Sequence, residues 1–156
     1  MKVYISGKIG EEILSEATIA KFKKAEDMLR EKGHEPFNPC SEVWQAYLSL
    51  SWVMLETRTG MDKYAYYLLE DQKKLAECDA VLFLDDTHDS PGATSEYYFS
   101  LAIRKWIMFT NKEQAKTFLT FKWIDLKDRP RMTLEEAGDV IKSYIQRNID
   151  NVWLPL

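Results

Sequence analysis

The chain has 156 residues, 46% of them hydrophobic and 29% charged, with a net charge of −4, as expected of one globular domain with a real core. That charge gives no general attraction for a nucleic-acid polymer or an anionic membrane, while a small phosphorylated ligand, which needs only a local site, stays open. Cys40 and Cys78 form no CxxC pair and have no histidine at ligand spacing, which argues against a zinc site or a disulfide framework.

MKVYIS opens directly as a strand, with no apolar leader before a cleavage site, and no apolar run reaches the length of a membrane span. The expected compartment is cytoplasmic. Lys2–Ser6 reads as a buried first strand. The loop Ser6-Gly7-Lys8-Ile9-Gly10 either cradles a phosphate, with Lys8 adding charge, or is a plain strand-to-helix turn. It lacks the spacing and the terminal Lys-Ser/Thr of a Walker sequence. Ser15 to Lys32 follows with helical periodicity at Ile19, Phe22, Ala25, Met28 and Leu29, and Gly33 ends it. His34–Phe37 is a short strand closed by Asn38-Pro39, with His34 read as a surface residue.

Ser41 caps a second helix expected to run to about Thr57. Trp44, Tyr47, Leu48, Leu50, Trp52, Val53, Met54 and Leu55 cover more than one face of it. A domain this small has little room for a helix buried all round, so one side is expected to meet a second subunit, giving a dimer. Glu56–Gly60 reads as a loop. Asp62 caps a third helix, roughly Lys63–Glu77, with an expected core stripe of Ala65, Leu68, Leu69, Gln72, Leu75 and Ala76. Tyr64, Tyr67 and Asp71 share an adjacent face. They either line a base or sugar pocket or pack on the surface.

Asp79–Leu84 reads as the third strand, and its run Ala80–Leu84 is continuously apolar, as in a strand covered on both faces. A loop through Ser90, Pro91 and Gly92 leads to a fourth helix starting at Ala93 or Thr94, then to a strand at Trp106–Phe109. Phe118–Ile124 is a candidate fifth strand. Thr133-Leu134-Glu135-Glu136 has a capping-box pattern before a helix to about Arg147, and the tail with Trp153 and Pro155 is expected to pack on the body. Strands alternating with helices predict an α/β fold with a parallel sheet of about five strands in a three-layer sandwich, all in one domain.

In such a sheet ligands bind at the carboxyl ends of the strands. Glu96 falls in the expected first turn of the fourth helix, where free N–H groups and the helix dipole favour an ionised carboxylate. That carboxylate either serves as a nucleophile toward an anomeric carbon, with Asp71 assisting the leaving group, or is a first-turn acid of the ordinary kind. No metal or organic cofactor is called for.

Val3-Tyr4-Ile5-Ser6-Gly7, Asn38-Pro39, Asp71 with Cys78-Asp79, and Ser90-Pro91-Gly92-Ala93-Thr94-Ser95-Glu96 resemble the nucleoside 2-deoxyribosyltransferase superfamily. The similarity spans roughly residues 1–109. It is nearest to a compact DUF4406-like branch with an S-x-G-A-x-x-E signature, related to the 2′-deoxynucleoside 5′-monophosphate N-hydrolases. The resemblance implies a flavodoxin-like fold and cleavage or transfer of an N-glycosidic bond in a small nucleoside or nucleotide. It implies Glu96 as the nucleophile, Asp71 as the sugar anchor or assisting group, and Tyr4 beside the site. The transferases carry an aspartate where this chain has Ser90. The hydrolases carry a serine there that contacts the 5′-phosphate, so Ser90, Gly92 and the Ser6-Gly7-Lys8 loop are expected substrate-binding residues. The transferases' Asn-containing segment has no clear counterpart after Phe109, and the aromatic stretch Trp44–Tyr67 matches neither branch closely.

Overall fold

Lys2–Ser6 (β1) sends its side chains alternately to two buried faces, the period-two pattern of a strand covered on both sides. Val3 and Ile5 join one apolar cluster and Tyr4 joins the other. This computed structural model describes residues 1–10, 13–59, 61–111 and 113. After β1 come α1 (Glu16–Glu31), β2 (Glu35–Phe37), α2 (Glu42–Thr59), α3 (Lys63–Glu77), β3 (Ala80–Phe83), a short 3-10 turn (Thr87–Asp89), α4 (Pro91–Ala102) and β4 (Trp106–Phe109). The four strands form one parallel sheet in the order β2-β1-β3-β4. The fold is α/β and flavodoxin-like, with helices on both faces of the sheet. The candidate fifth strand at Phe118–Ile124, the final helix and the tail with Trp153 and Pro155 lie outside the described residues.

On one face, Phe22, Ala25 and Leu29 of α1 pack on Val3, Ile5, Ala80, Leu82 and Met108. Full burial of side chains the size of Phe22 and Leu29 contributes about 1.5–3 kcal/mol each. Ile19, expected in that stripe, is exposed. On the other face Tyr4, Val81, Phe83 and Phe109 meet Leu75 of α3 and Tyr97 of α4. The helix signals hold where local chemistry sets them. Ser15 accepts from the Thr18 amide, Asp62 from those of Tyr64 and Ala65, and Gly33 takes the positive φ of 76° that ends α1.

Four expectations need correction. Residues 56–59, expected as loop, continue α2, whose sequence has no glycine or proline before Gly60 to stop it. Next, α4 begins at Pro91 rather than at Ala93 or Thr94. Ser90 is its cap and Pro91 its first residue, the position where a missing N–H costs nothing. The third correction concerns α3, which buries Tyr66, Glu70 and Leu75 while Leu69 and Ala76 are exposed. This helix serves two surfaces, Leu75 facing the sheet and Tyr66 facing α2, so one stripe does not describe it. Lastly, the apolar surface of α2 is divided. Trp44, Leu48 and Trp52 are buried against Tyr66, with Phe37 and Tyr67 alongside. Val43, Tyr47, Leu50, Val53 and Met54 are exposed.

Candidate active site

A cavity of about 450 Å³ opens at the carboxyl ends of β1 and β3, next to the point where the chain order of the strands reverses. Its walls are the Gly7–Gly10 loop after β1, Gln45 and Leu48 of α2, Tyr64, Tyr67 and Asp71 of α3, and the start of α4 from Ser90 to Ala93. Glu96 also lines it. The face shared by Tyr64, Tyr67 and Asp71 is therefore a cavity wall.

Glu96 is 6% exposed and is held from β1. The Tyr4 hydroxyl donates to its Oε1 at 2.7 Å, and the Ser6 hydroxyl donates to its Oε2 at 2.5 Å. Two residues apart on a strand, Tyr4 and Ser6 point to the same face, which is why both reach one carboxyl on α4. Because α4 starts at Pro91, Glu96 is its sixth residue and lies in the second turn. The free N–H groups of the helix end do not explain its state, contrary to the first-turn expectation. Burial dominates instead and, with the charge of Asp71, pushes the Glu96 carboxyl up to about 8, against the pull of the two hydroxyl donors. Burial also keeps the Tyr4 phenol well above its ordinary range, with the charges of Asp71 and Glu96 adding to it, so Tyr4 is a dependable donor.

Asp71 is half-buried and accepts from the indole Nε1 of Trp44 at 2.7 Å. Burial pushes its carboxyl up to about 7. The Trp44 hydrogen bond lowers it, and the charge of Glu70 adds a smaller upward push. Two carboxyls on one cavity thus titrate near neutrality, a pattern found where carboxyl groups exchange protons with a ligand.

The first loop has a firm structural role. The Lys8 amide donates to Asp86 Oδ1 at 3.0 Å, and its carbonyl accepts from Lys21 Nζ at 2.9 Å. Lys21 also pairs with Asp86. The Lys8 amide is therefore committed within the fold, while the Lys8 side chain is exposed at the cavity. A Cβ on Gly7 would come within 3.0 Å of Leu84 Cδ1 and 3.2 Å of Asp86 Oδ1, so the close approach of this loop to the chain after β3 needs glycine. A Cβ on Gly92 would sit 3.1 Å from the Tyr64 hydroxyl. Ser90 Oγ accepts from the Ala93 amide at 3.3 Å and so caps α4 at the cavity wall. His34 follows α1 and is not among the residues lining the cavity. Among the described residues no group of three or more His, Cys, Asp or Glu is placed to hold a metal ion, and no helix is long and apolar enough to cross a membrane.

Residues 1–109 match the family described as Domain of unknown function (DUF4406). The chain belongs to that family. The match in this DUF4406 protein ends at the last residue of β4 and takes in Tyr4, Ser6, Asp71, Ser90 and Glu96. A solved structure similar to it comes from a study of a 2-deoxyribosyltransferase from the psychrotolerant bacterium Bacillus psychrosaccharolyticus. The two are 19% identical, with a TM-score of 0.45 over 70% of this chain and 71% of that one. No curated protein matches the sequence.

Some site residues escaped the sequence reading. Gln45 and Leu48 line the cavity from α2, Lys63 lines it from the start of α3, and Trp44 holds Asp71. For Trp44 a signal was present, since a buried indole N–H needs an acceptor, and an apolar helix supplies none of its own.

Proposed function

We propose that this chain cleaves or transfers the N-glycosidic bond of a 2′-deoxynucleoside or its 5′-monophosphate. The observation that carries the reading is the arrangement of Glu96, whose two oxygens accept from Tyr4 and Ser6 beside a cavity that Asp71 also lines. The volume of about 450 Å³ falls within the range of about 300–1,000 Å³ typical of small-molecule sites.

In the proposed reaction an oxygen of ionised Glu96 attacks C1′ of the sugar. The C1′–N bond breaks, its electron pair stays on the base nitrogen, and the base takes a proton from Asp71. Water, or a second base, then attacks C1′ of the glycosyl ester, returns a proton to Asp71 and releases Glu96 as a carboxylate. With no 2′-hydroxyl on the sugar, the oxocarbenium-like transition state is reached more readily. Lys8 and Lys63 line the cavity and supply positive charge for a 5′-phosphate. Ser90 accepts from its own helix and keeps its O–H as a donor to a phosphate oxygen.

The test is base release followed by chromatography over a panel of 2′-deoxynucleosides and their 5′-monophosphates, with and without an added free base, beside Glu96→Ala. Free base from monophosphates alone marks a hydrolase. A new nucleoside formed only with added base marks a transferase. Turnover that survives in Glu96→Ala contradicts the mechanism.

A second reading has its own support. Both oxygens of Glu96 are engaged by protein hydroxyls, an arrangement that also suits a fixed wall in a nucleotide-binding module. Tight nucleotide binding with no base release distinguishes it. We also propose that the chain pairs with a second copy through the exposed side of α2, where Val43, Tyr47, Leu50 and Met54 recur at helical spacing and are all 45% exposed or more.

A further inference from the structure

The hydrogen bond from Trp44 to Asp71 has a chemical consequence for the acid. An indole N–H is a donor only and does not titrate, so Oδ1 of Asp71, 2.7 Å from Nε1, is an acceptor in every protonation state. A carboxyl proton on Asp71 is then favoured on Oδ2, because the carbonyl oxygen is the better acceptor for the indole. No side-chain oxygen of Asp71 is both fully buried and unpartnered, and Oδ2 takes no hydrogen bond among the described residues, so it is open to the cavity.

The indole is itself fixed. Phe37 meets it edge-on at 5.1 Å between ring centroids, Tyr47 stacks on it at 4.9 Å, and Lys74 Nζ lies 5.6 Å from the ring. Phe37 stacks in turn on Tyr4 at 5.6 Å, and Tyr4 donates to Glu96. One run of packed rings, Tyr4–Phe37–Trp44, thus presents a donor to Glu96 at one end and to Asp71 at the other. A buried indole that had merely found the nearest acceptor would account for the distance alone. It would not account for a partner that is a cavity carboxyl, tied through the same rings to the second one.

We infer that Trp44 is a positioning residue, which holds the Asp71 carboxyl in one orientation and keeps its transferable proton on Oδ2. This rests on the reading of Asp71 as the acid of the proposed reaction. The charged and titratable groups around Asp71 are Glu70 on α3, Glu96 on α4 and Tyr4 on β1, with Lys74 over the indole and Lys8, Lys63, Tyr64 and Tyr67 lining the same cavity. Trp44→Phe leaves all of them in place and removes only the N–H and part of the ring.

The experiment uses the full chain labelled with ¹³C at aspartate carboxyls, with the Asp71 signal assigned by its loss in Asp71→Asn. Since the lost hydrogen bond favours the ionised form, the Asp71 midpoint rises in Trp44→Phe, by about 0.5–1 pH unit. With a turned-over substrate, kcat falls about tenfold while KM stays within about twofold. A second readout needs no change at Trp44. In the unmodified chain one indole ¹H–¹⁵N signal follows the Asp71 titration, and in Asp71→Asn it loses that dependence. An unmoved midpoint in folded Trp44→Phe, or no indole signal that follows Asp71, overturns the inference. A moved midpoint in a chain with no turnover on any substrate supports the positioning bond and contradicts the proposed reaction, so the two failures are separable.

Discussion

The Tyr4 hydroxyl sits 2.7 Å from Glu96 Oε1, across 92 residues of chain. The pair joins the central strand β1 to the helix after β3, and Ser6 repeats the link two residues on. Tyr4→Phe keeps the ring that stacks on Phe37 and removes only the donor. The account predicts that the Glu96 midpoint rises, because that hydrogen bond holds it down, and that kcat falls about 100-fold, the low end for loss of one oriented donor at a reacting group. A pH–rate profile that matches the unmodified chain contradicts this.

With Asp71 near 7 and Glu96 near 8, most of the one-proton form holds its proton on Glu96, and the productive form, with Glu96 ionised and Asp71 protonated, is the minor one, about one part in ten. The profile of kcat/KM against pH is then a narrow bell centred at about 7.5, and its limbs belong to the pair rather than to either residue. Steady-state rates over a pH series read it directly. A flat profile from pH 6 to 9, chosen to span about one unit beyond each limb, removes the dyad.

The same shift makes a stability prediction. A carboxyl whose pKa is raised in the folded state binds its proton more tightly there than when unfolded. Its stabilising contribution is full below the unfolded value, and it is lost as pH rises through the folded value. For Glu96 the loss runs from the ordinary carboxylate range, 4.5, up to about 8. Glu96→Gln removes the buried charge, so at alkaline pH it raises stability by a few kcal/mol, on the order of 2–4, and at acidic pH it changes little. Urea unfolding of both chains at the two extremes decides it.

Ser90 offers a division of roles. Ser90→Ala removes the side-chain cap of α4 and is expected to cost about 1 kcal/mol in unfolding free energy. If its O–H also meets a 5′-phosphate, KM rises for monophosphates and not for nucleosides. Equal KM changes on both substrates leave Ser90 as a cap alone.

The exposed side of α2 predicts assembly. Leu50 is 70% exposed at the middle of it, so Leu50→Asp places a charge where a second copy would pack and alters no described core contact. Light scattering should give a dimer for the unmodified chain and a monomer for the variant. A monomer in both contradicts the interface.

What could be read from the sequence was mostly local. The Asp62 cap, the Gly33 terminator and the first strand at Lys2–Ser6 depend on neighbours within a turn or a strand, and the structure has them where expected. The start of α4 was also local, written in Ser90-Pro91, but Gly92 made the segment look like loop. The state of Glu96 was not legible, because it depends on burial and on hydroxyls from a distant strand. The division of α2 into a buried and an exposed side was hidden for a similar reason. Its apolar residues lie all round the helix, and only the packing of α3 selects Trp44, Leu48 and Trp52.

The central claim is a covalent bond between C1′ of the sugar and Glu96. Mixing the protein with the best substrate from the panel, quenching in acid within one turnover and mapping peptides by mass spectrometry tests it directly. The account predicts a deoxyribosyl adduct on the peptide that contains Glu96, absent from Glu96→Gln. Base release at full rate with no adduct on that peptide, or with an adduct on another residue, would contradict it.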